Sequence, residues 1–170
     1  MFRTLLFAAL IVAASAGSAF AHVTLRIGQA QVGTAFKATF RVPHGCAGKA
    51  TTVVRIRIPD GILAVVPAEK AGWSAATVAG AYAGRYRYNG AVVAEGVREL
   101  SWSGGSLPDG GYDEFSLDGF IAAELAPGTV LYFPVVQVCE GGAIERWIEI
   151  PPAGKSADDL EKPAPALELL

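Results

Sequence analysis

The chain of 170 residues carries 14 basic and 16 acidic side chains, a formal charge of −2 that leaves no electrostatic footprint for nucleic acid. Hydrophobic residues make up 52% and charged ones 18%, so the chain can bury a core and wholesale disorder is excluded. With only 2 Cys, 2 His and 1 Met, zinc fingers, haem attachment of the CxxCH type and iron–sulfur ligation are excluded too.

Residues 1–21 read as a secretory signal. Arg3 supplies the positive start, Leu5 to Ala14 an apolar run of ten residues, and Ala19-Phe20-Ala21 an A-x-A cleavage site. The run is too short to span a bilayer of roughly 30 Å hydrocarbon, and no later stretch approaches the ~18 apolar residues a span needs. Cleavage makes His22 the first residue of the mature protein and removes the only Met. The expected organisation is therefore a signal at 1–21, a domain at 22–151 and a Pro-rich acidic tail at 152–170, in a periplasmic or secreted protein.

Past His22 the chain breaks into short strand-like runs bounded by Gly and Pro. They fall at 23–28, 34–43, 51–58, 61–67, 73–79, 85–88, 91–94, 97–103, 112–121, 129–138 and 143–150. No segment before Ser156 sustains a helical period. Phe36, Ala38, Phe40 and Val42 share one face against Lys37, Thr39 and Arg41; Val54, Ile56 and Ile58 oppose Arg55 and Arg57; Phe115 and Leu117 oppose Glu114 and Ser116. Such alternation belongs to half-buried antiparallel strands, and many of them with turn signals between predict an all-β sandwich. Asn89-Gly90 is the strongest hairpin signal, because both residues accept the positive φ of a type I′ turn. Cys46 and Cys139, the only thiols, are expected to form a disulfide in an exported protein, closing a loop of more than ninety residues. The competing use of Cys46 is a copper site shared with His44. In the tail, Ala164 to Leu170 is apolar enough to lean toward packing on the sandwich.

Hydrolase and nucleotide signatures are absent: there is no Gly-x-Ser-x-Gly elbow, no GxxxxGK[ST] and no dinucleotide fingerprint. His22 carries the chemistry instead. A free α-amine and the imidazole Nδ1 of one residue can chelate a metal in a six-membered ring, and two nitrogen donors with oxygen suit Cu(II). If Val23, Leu25 and Ile27 face the core, His22 lies off that face with Thr24 and Arg26. In the last run Ile144, Ile148 and Ile150 share one face, which leaves Trp147 with Glu145 and Glu149 on the other and Glu114 likewise off a core face.

The ordered set Ala21-His22-Val23-Thr24, Val42-Pro43-His44-Gly45-Cys46, Trp102-Ser103-Gly104-Gly105 and Leu107-Pro108-Asp109-Gly110 resembles the YcnI-like family of exported bacterial copper-associated proteins. So do Tyr112-Asp113-Glu114-Phe115, Val136-Gln137-Val138-Cys139 and Trp147-Ile148-Glu149-Ile150-Pro151. The resemblance implies an Ig/cupredoxin-like β-sandwich holding one Cu(II) by a single-histidine brace. It carries His22 over as the chelator, Glu114 as the acidic ligand and Trp147 as the aromatic beside the ion. Glu140, Glu145 and Glu149 are the other carboxylates near Trp147. The expected role is copper handling, without enzymatic activity, alongside other periplasmic or membrane copper proteins. Two rivals stand beside it: a metal-free adhesion or chaperone-like sandwich, and a copper oxidase that would need His44 as a second histidine.

Overall fold

The computed structural model describes residues 22–170, so the signal and its cleavage site lie outside the described residues. Among the described residues the regular structure is strand, apart from two short 3-10 turns at Glu140–Gly142 and Ala157–Asp159, and there is no α-helix. Twelve strands follow in order: β1 (Thr24–Leu25), β2 (Gln29–Ala30), β3 (Ala35–Val42), β4 (Thr51–Arg57), β5 (Ile62–Pro67), β6 (Ser74–Tyr88), β7 (Ala91–Leu107), β8 (Asp113–Ile121), β9 (Val130–Tyr132), β10 (Val135–Cys139), β11 (Ile144–Trp147) and β12 (Ala166–Leu169). They build a four-stranded sheet β1-β3-β8-β5, a five-stranded sheet β11-β10-β4-β7-β6 and a three-stranded sheet β2-β12-β9. Every named pairing is antiparallel except β2 with β12.

The two larger sheets close on one core. Phe36, Ala38, Phe40 and Val42 from β3, with Phe115 and Leu117 from β8, meet Val54 and Ile56 from β4 and Leu100 and Trp102 from β7. On β3, β4 and β8 these are the faces that the alternation predicts. Phe40 meets Phe133 edge-on with ring centroids 5.5 Å apart, and Trp102 lies 5.4 Å from Phe115, the offset geometry aromatic rings prefer. Asn89 and Gly90 turn β6 into β7 at φ 49° and 80°, the type I′ signature.

Several boundaries differ from expectation for identifiable reasons. The runs 73–79 and 85–88 are one strand, β6, as are 91–94 and 97–103 within β7, because register shifts absorb the irregularities between them. The run 129–138 divides at Phe133-Pro134: β9 joins the three-stranded sheet and β10 the five-stranded one. Pro134 has no N–H to donate to a ladder, and its carbonyl accepts from Arg57 N at 2.9 Å. The domain does not stop at residue 151. β12 inserts between β2 and β9, and Ala164, Leu167 and Leu169 are buried, so the segment expected as a tail supplies core.

Two face assignments are overturned. Trp147 is 3% exposed and belongs to the core, while Ile144, Ile148 and Ile150 are exposed. The cause is register: Trp147 stands opposite Val135 and Glu145 opposite Gln137, and both of those β10 residues are buried. In the first run Val23 is buried and Leu25 packs on the core, but Ile27 is exposed because β1 ends at Leu25.

Candidate metal centre

His22 leads into β1, whose register with β3 sets Thr24 opposite Arg41 and Leu25 opposite Phe40. Continued toward the chain start, that register runs His22 to the Pro43–His44 corner. Val23, 1% exposed, pins the segment to the core. The His22 ring lies 5.8 Å from the Trp147 ring, and the His44 ring lies 5.8 Å from the same indole. Both histidines of the chain thus border one tryptophan.

The corner that presents His44 is tightly built. A Cβ on Gly45 would come within 2.0 Å of the Lys49 carbonyl oxygen, so only glycine fits. Next in the chain, Cys46 is bonded to Cys139 with Cα atoms 6.0 Å apart, and no free cysteine exists among the described residues. The expected disulfide is therefore present, and its sulfurs are not available as copper thiolates.

Beneath the rings lies a buried polar relay. Trp147 Nε1 donates to Gln137 Oε1 at 2.6 Å. Gln137 Nε2 donates to the His44 carbonyl at 2.7 Å and to Thr51 Oγ1 at 2.9 Å. Gln137 and Thr51 are fully buried, so each of these bonds satisfies a group cut off from water. Trp147 consequently offers the site its ring, with its only polar hydrogen already committed. Sequence reasoning passed over Gln137, although it occupies a buried position in the alternating Val-Val-Gln-Val-Cys of β10.

Glu114 stands in another set of contacts. It lies opposite Arg41 on β8, two strands from β1. Its Oε1 accepts from the Tyr112 hydroxyl at 2.7 Å, and Arg41 Nε and Arg26 Nη1 stand at 3.5 and 3.7 Å. The Tyr112 bond first, then the two guanidiniums, hold the Glu114 carboxyl below its usual range. The same bond pushes the Tyr112 phenol up. Glu145 is bonded to Lys162 Nζ and raises that amine's pKa. Glu149 accepts from Lys162 N, and Glu140 is exposed on the 3-10 turn. Asp158 is a carboxylate the sequence reading did not single out; it lines a cleft of about 200 Å³ with His22, Thr24 and Pro163–Ala166. Among the described residues no three His, Cys, Asp or Glu side chains converge as a ready-made metal cage, and no helix is long and apolar enough to cross a membrane.

A profile of the family described as "Domain of unknown function (DUF1775)" matches residues 22–169. Comparison with curated proteins gives no match. A solved structure of an uncharacterized protein from Nocardia farcinica, described as revealing an immunoglobulin-like fold, aligns at a TM-score of 0.63 with 24% identity. The alignment covers 87% of this chain and 97% of that one. That likeness identifies the fold as an immunoglobulin-like sandwich.

Proposed function

From the premise that the chain belongs to the DUF1775 family, the domain of the YcnI-like proteins, we propose that it is an exported copper-binding protein, not an enzyme. In this reading it holds one Cu(II) at the mature N-terminal His22 and serves copper handling or delivery in the periplasm. The observation that carries the reading is the contact of His22 with the buried Trp147 at a strand start pinned by Val23. A frayed terminus would have no such floor.

The donor chemistry fits copper. Once the chain is cleaved before His22, that residue offers an amine and an imidazole nitrogen, and nitrogen with oxygen donors favours Cu(II) over Cu(I). Thiolate and thioether, the soft ligands that select Cu(I), are missing from the mature chain. Bound there, copper would supply an exchangeable divalent charge. The chain's own part is to fix the imidazole against the indole, exclude water on that side and offer a cation–π face.

The resemblance carries the anionic oxygen over to Glu114. That carboxylate would exchange its Tyr112 and arginine partners for the ion. Asp158 is a second candidate, because it lines the cleft with His22 and no hydrogen bond or ion pair holds its carboxylate among the described residues.

Calorimetric Cu(II) titration of protein beginning at His22, against protein with one extra residue ahead of it, tests the chelate. The extra residue keeps the imidazole and removes the free amine, so tight binding should be lost; unchanged affinity refutes the brace. Glu114→Gln and Asp158→Asn in the same assay assign the oxygen. The carry-over predicts a loss with the first and none with the second, and the reverse pattern moves the ligand to Asp158.

A further inference from the structure

We propose that β6 pairs antiparallel with β6 of a second copy of this chain, so that two five-stranded sheets join edge to edge. The pairing is independent of the copper reading and uses no residue of that site.

Position is the first argument. β6 ends the sheet β11-β10-β4-β7-β6, with β7 beside it on one side only. An edge strand presents a row of backbone N–H and C=O groups that its own sheet does not pair. The two halves of β6 treat that row differently. In the second half Ala83 N donates to Asp60 Oδ2 at 3.2 Å, and Arg87 N donates to Glu124 Oε1 at 2.7 Å. Among the described residues, 74–81 make no hydrogen bond outside the β7 ladder.

Exposure is the second argument. Seven of the eight residues 74–81 are exposed, Val78 to 58%. Successive side chains of a strand point to opposite faces, so neither face of this stretch is covered. Another strand can dock along it without displacing a loop.

Charge selects the occupant. Across a two-fold axis a surface meets itself, so any charge near the axis faces its like. The stretch Ser-Ala-Ala-Thr-Val-Ala-Gly-Ala carries no charge, and it lacks the lysines and prolines that blunt edges elsewhere. The charges of β6, Arg85 and Arg87, fall in the half that carboxylates already cap. With Val78 on the axis, valine meets valine, Thr77 opposes Ala79, Ala76 opposes Gly80 and Ala75 opposes Ala81. Glu99, beside Val78 on β7, is paired with Arg55 at 3.2 Å. Eight residues paired in this way exchange about eight backbone hydrogen bonds, within the range of a standard interface. The two-fold contact is closed, so it makes a dimer and not a fibre.

The test is sedimentation of metal-free protein starting at His22, from micromolar to millimolar concentration. Wild type should pass from monomer to dimer as concentration rises. Val78→Lys sets like charges together on the axis and should weaken dimerisation by roughly a hundredfold or more, with the Tm of the monomer unchanged. Val78→Glu should do the same, and an equimolar mixture of the two variants should regain the dimer mass. Wild type that stays monomeric up to millimolar concentration overturns the pairing and leaves the edge to a strand of another protein. A dimer that survives Val78→Lys in folded protein overturns it too, as does a mixture that remains monomeric.

Discussion

Replacing Gln137 by Met tests whether the relay under the candidate site holds the sandwich together there. The change keeps side-chain length and removes both polar atoms. Three partners then lose a bond: Trp147 Nε1, the His44 carbonyl and Thr51 Oγ1. Each fully buried group left unsatisfied costs about 1–3 kcal/mol. The indole N–H carries the full penalty. Thr51 keeps the Cys139 sulfur 3.4 Å away, and His44 is half-buried, so their shares are smaller. The expected loss is about 3–5 kcal/mol. At about 2–4 °C per kcal/mol for a domain of this size, the Tm should fall by roughly 10–15 °C. Urea unfolding reads the loss as a lower midpoint at constant slope. A double-mutant cycle isolates the indole bond. With Trp147→Phe already made there is no N–H to orphan, so adding Gln137→Met should cost about 1–3 kcal/mol less than it does in wild type. A single variant within a few degrees of wild type, or additivity within about 0.5 kcal/mol, would show that Gln137 is not what orients Trp147.

Two further tests follow from the disulfide and the Glu114 cluster. The Cys46–Cys139 bond spans 93 residues, so replacing both cysteines by Ala should destabilise by about 4–5 kcal/mol on chain-entropy grounds; an unchanged urea midpoint refutes that loop-closure role. Because Tyr112 and the arginines lower the Glu114 pKa, that cluster stabilises fully above the ordinary glutamate range and loses its contribution as pH falls through the lowered value. The raised phenol of Tyr112 behaves inversely, its share being lost as pH rises through its folded value. Titration by NMR should show both shifts, with Tyr112 returning toward its ordinary range in Glu114→Gln; a Tyr112 curve indifferent to that change refutes the bond.

The sandwich was legible wherever alternation was one-sided. In β3 the even positions from Phe36 to Val42 are apolar and the odd ones between them are not, so the core face follows without knowing any neighbour. The run around Trp147 has apolar residues of both parities, and only pairing with β10 decides that the indole goes in and the isoleucines out. Local pattern carries no such long-range register. Gln137 escaped notice for the same reason, since a polar residue in a buried row is intelligible only once Trp147, His44 and Thr51 surround it. The break at Pro134 was visible in principle, because proline in a central strand argues against one continuous element. His22 stands out as a candidate from its place after an A-x-A site, but its packing on Trp147 is not readable from that motif. That His44 borders the same indole follows from the packing of the two sheets.

The three-stranded sheet has a consequence for when the protein can fold. Its middle strand, β12, is recruited from residues 166–169 and lies parallel to β2, with the Gln29 side chain bonded to Glu168 across 139 residues of sequence. Walls of the cleft beside His22 come from the same late segment, Pro163 to Ala166. A chain emerging from a ribosome in order of synthesis therefore holds β2 without its native neighbour until residues 166–169 have emerged. Completion waits on loop closure over nearly the full length, which is entropically slow. Such an arrangement assembles the wall beside His22 only once this late segment has joined the sheet.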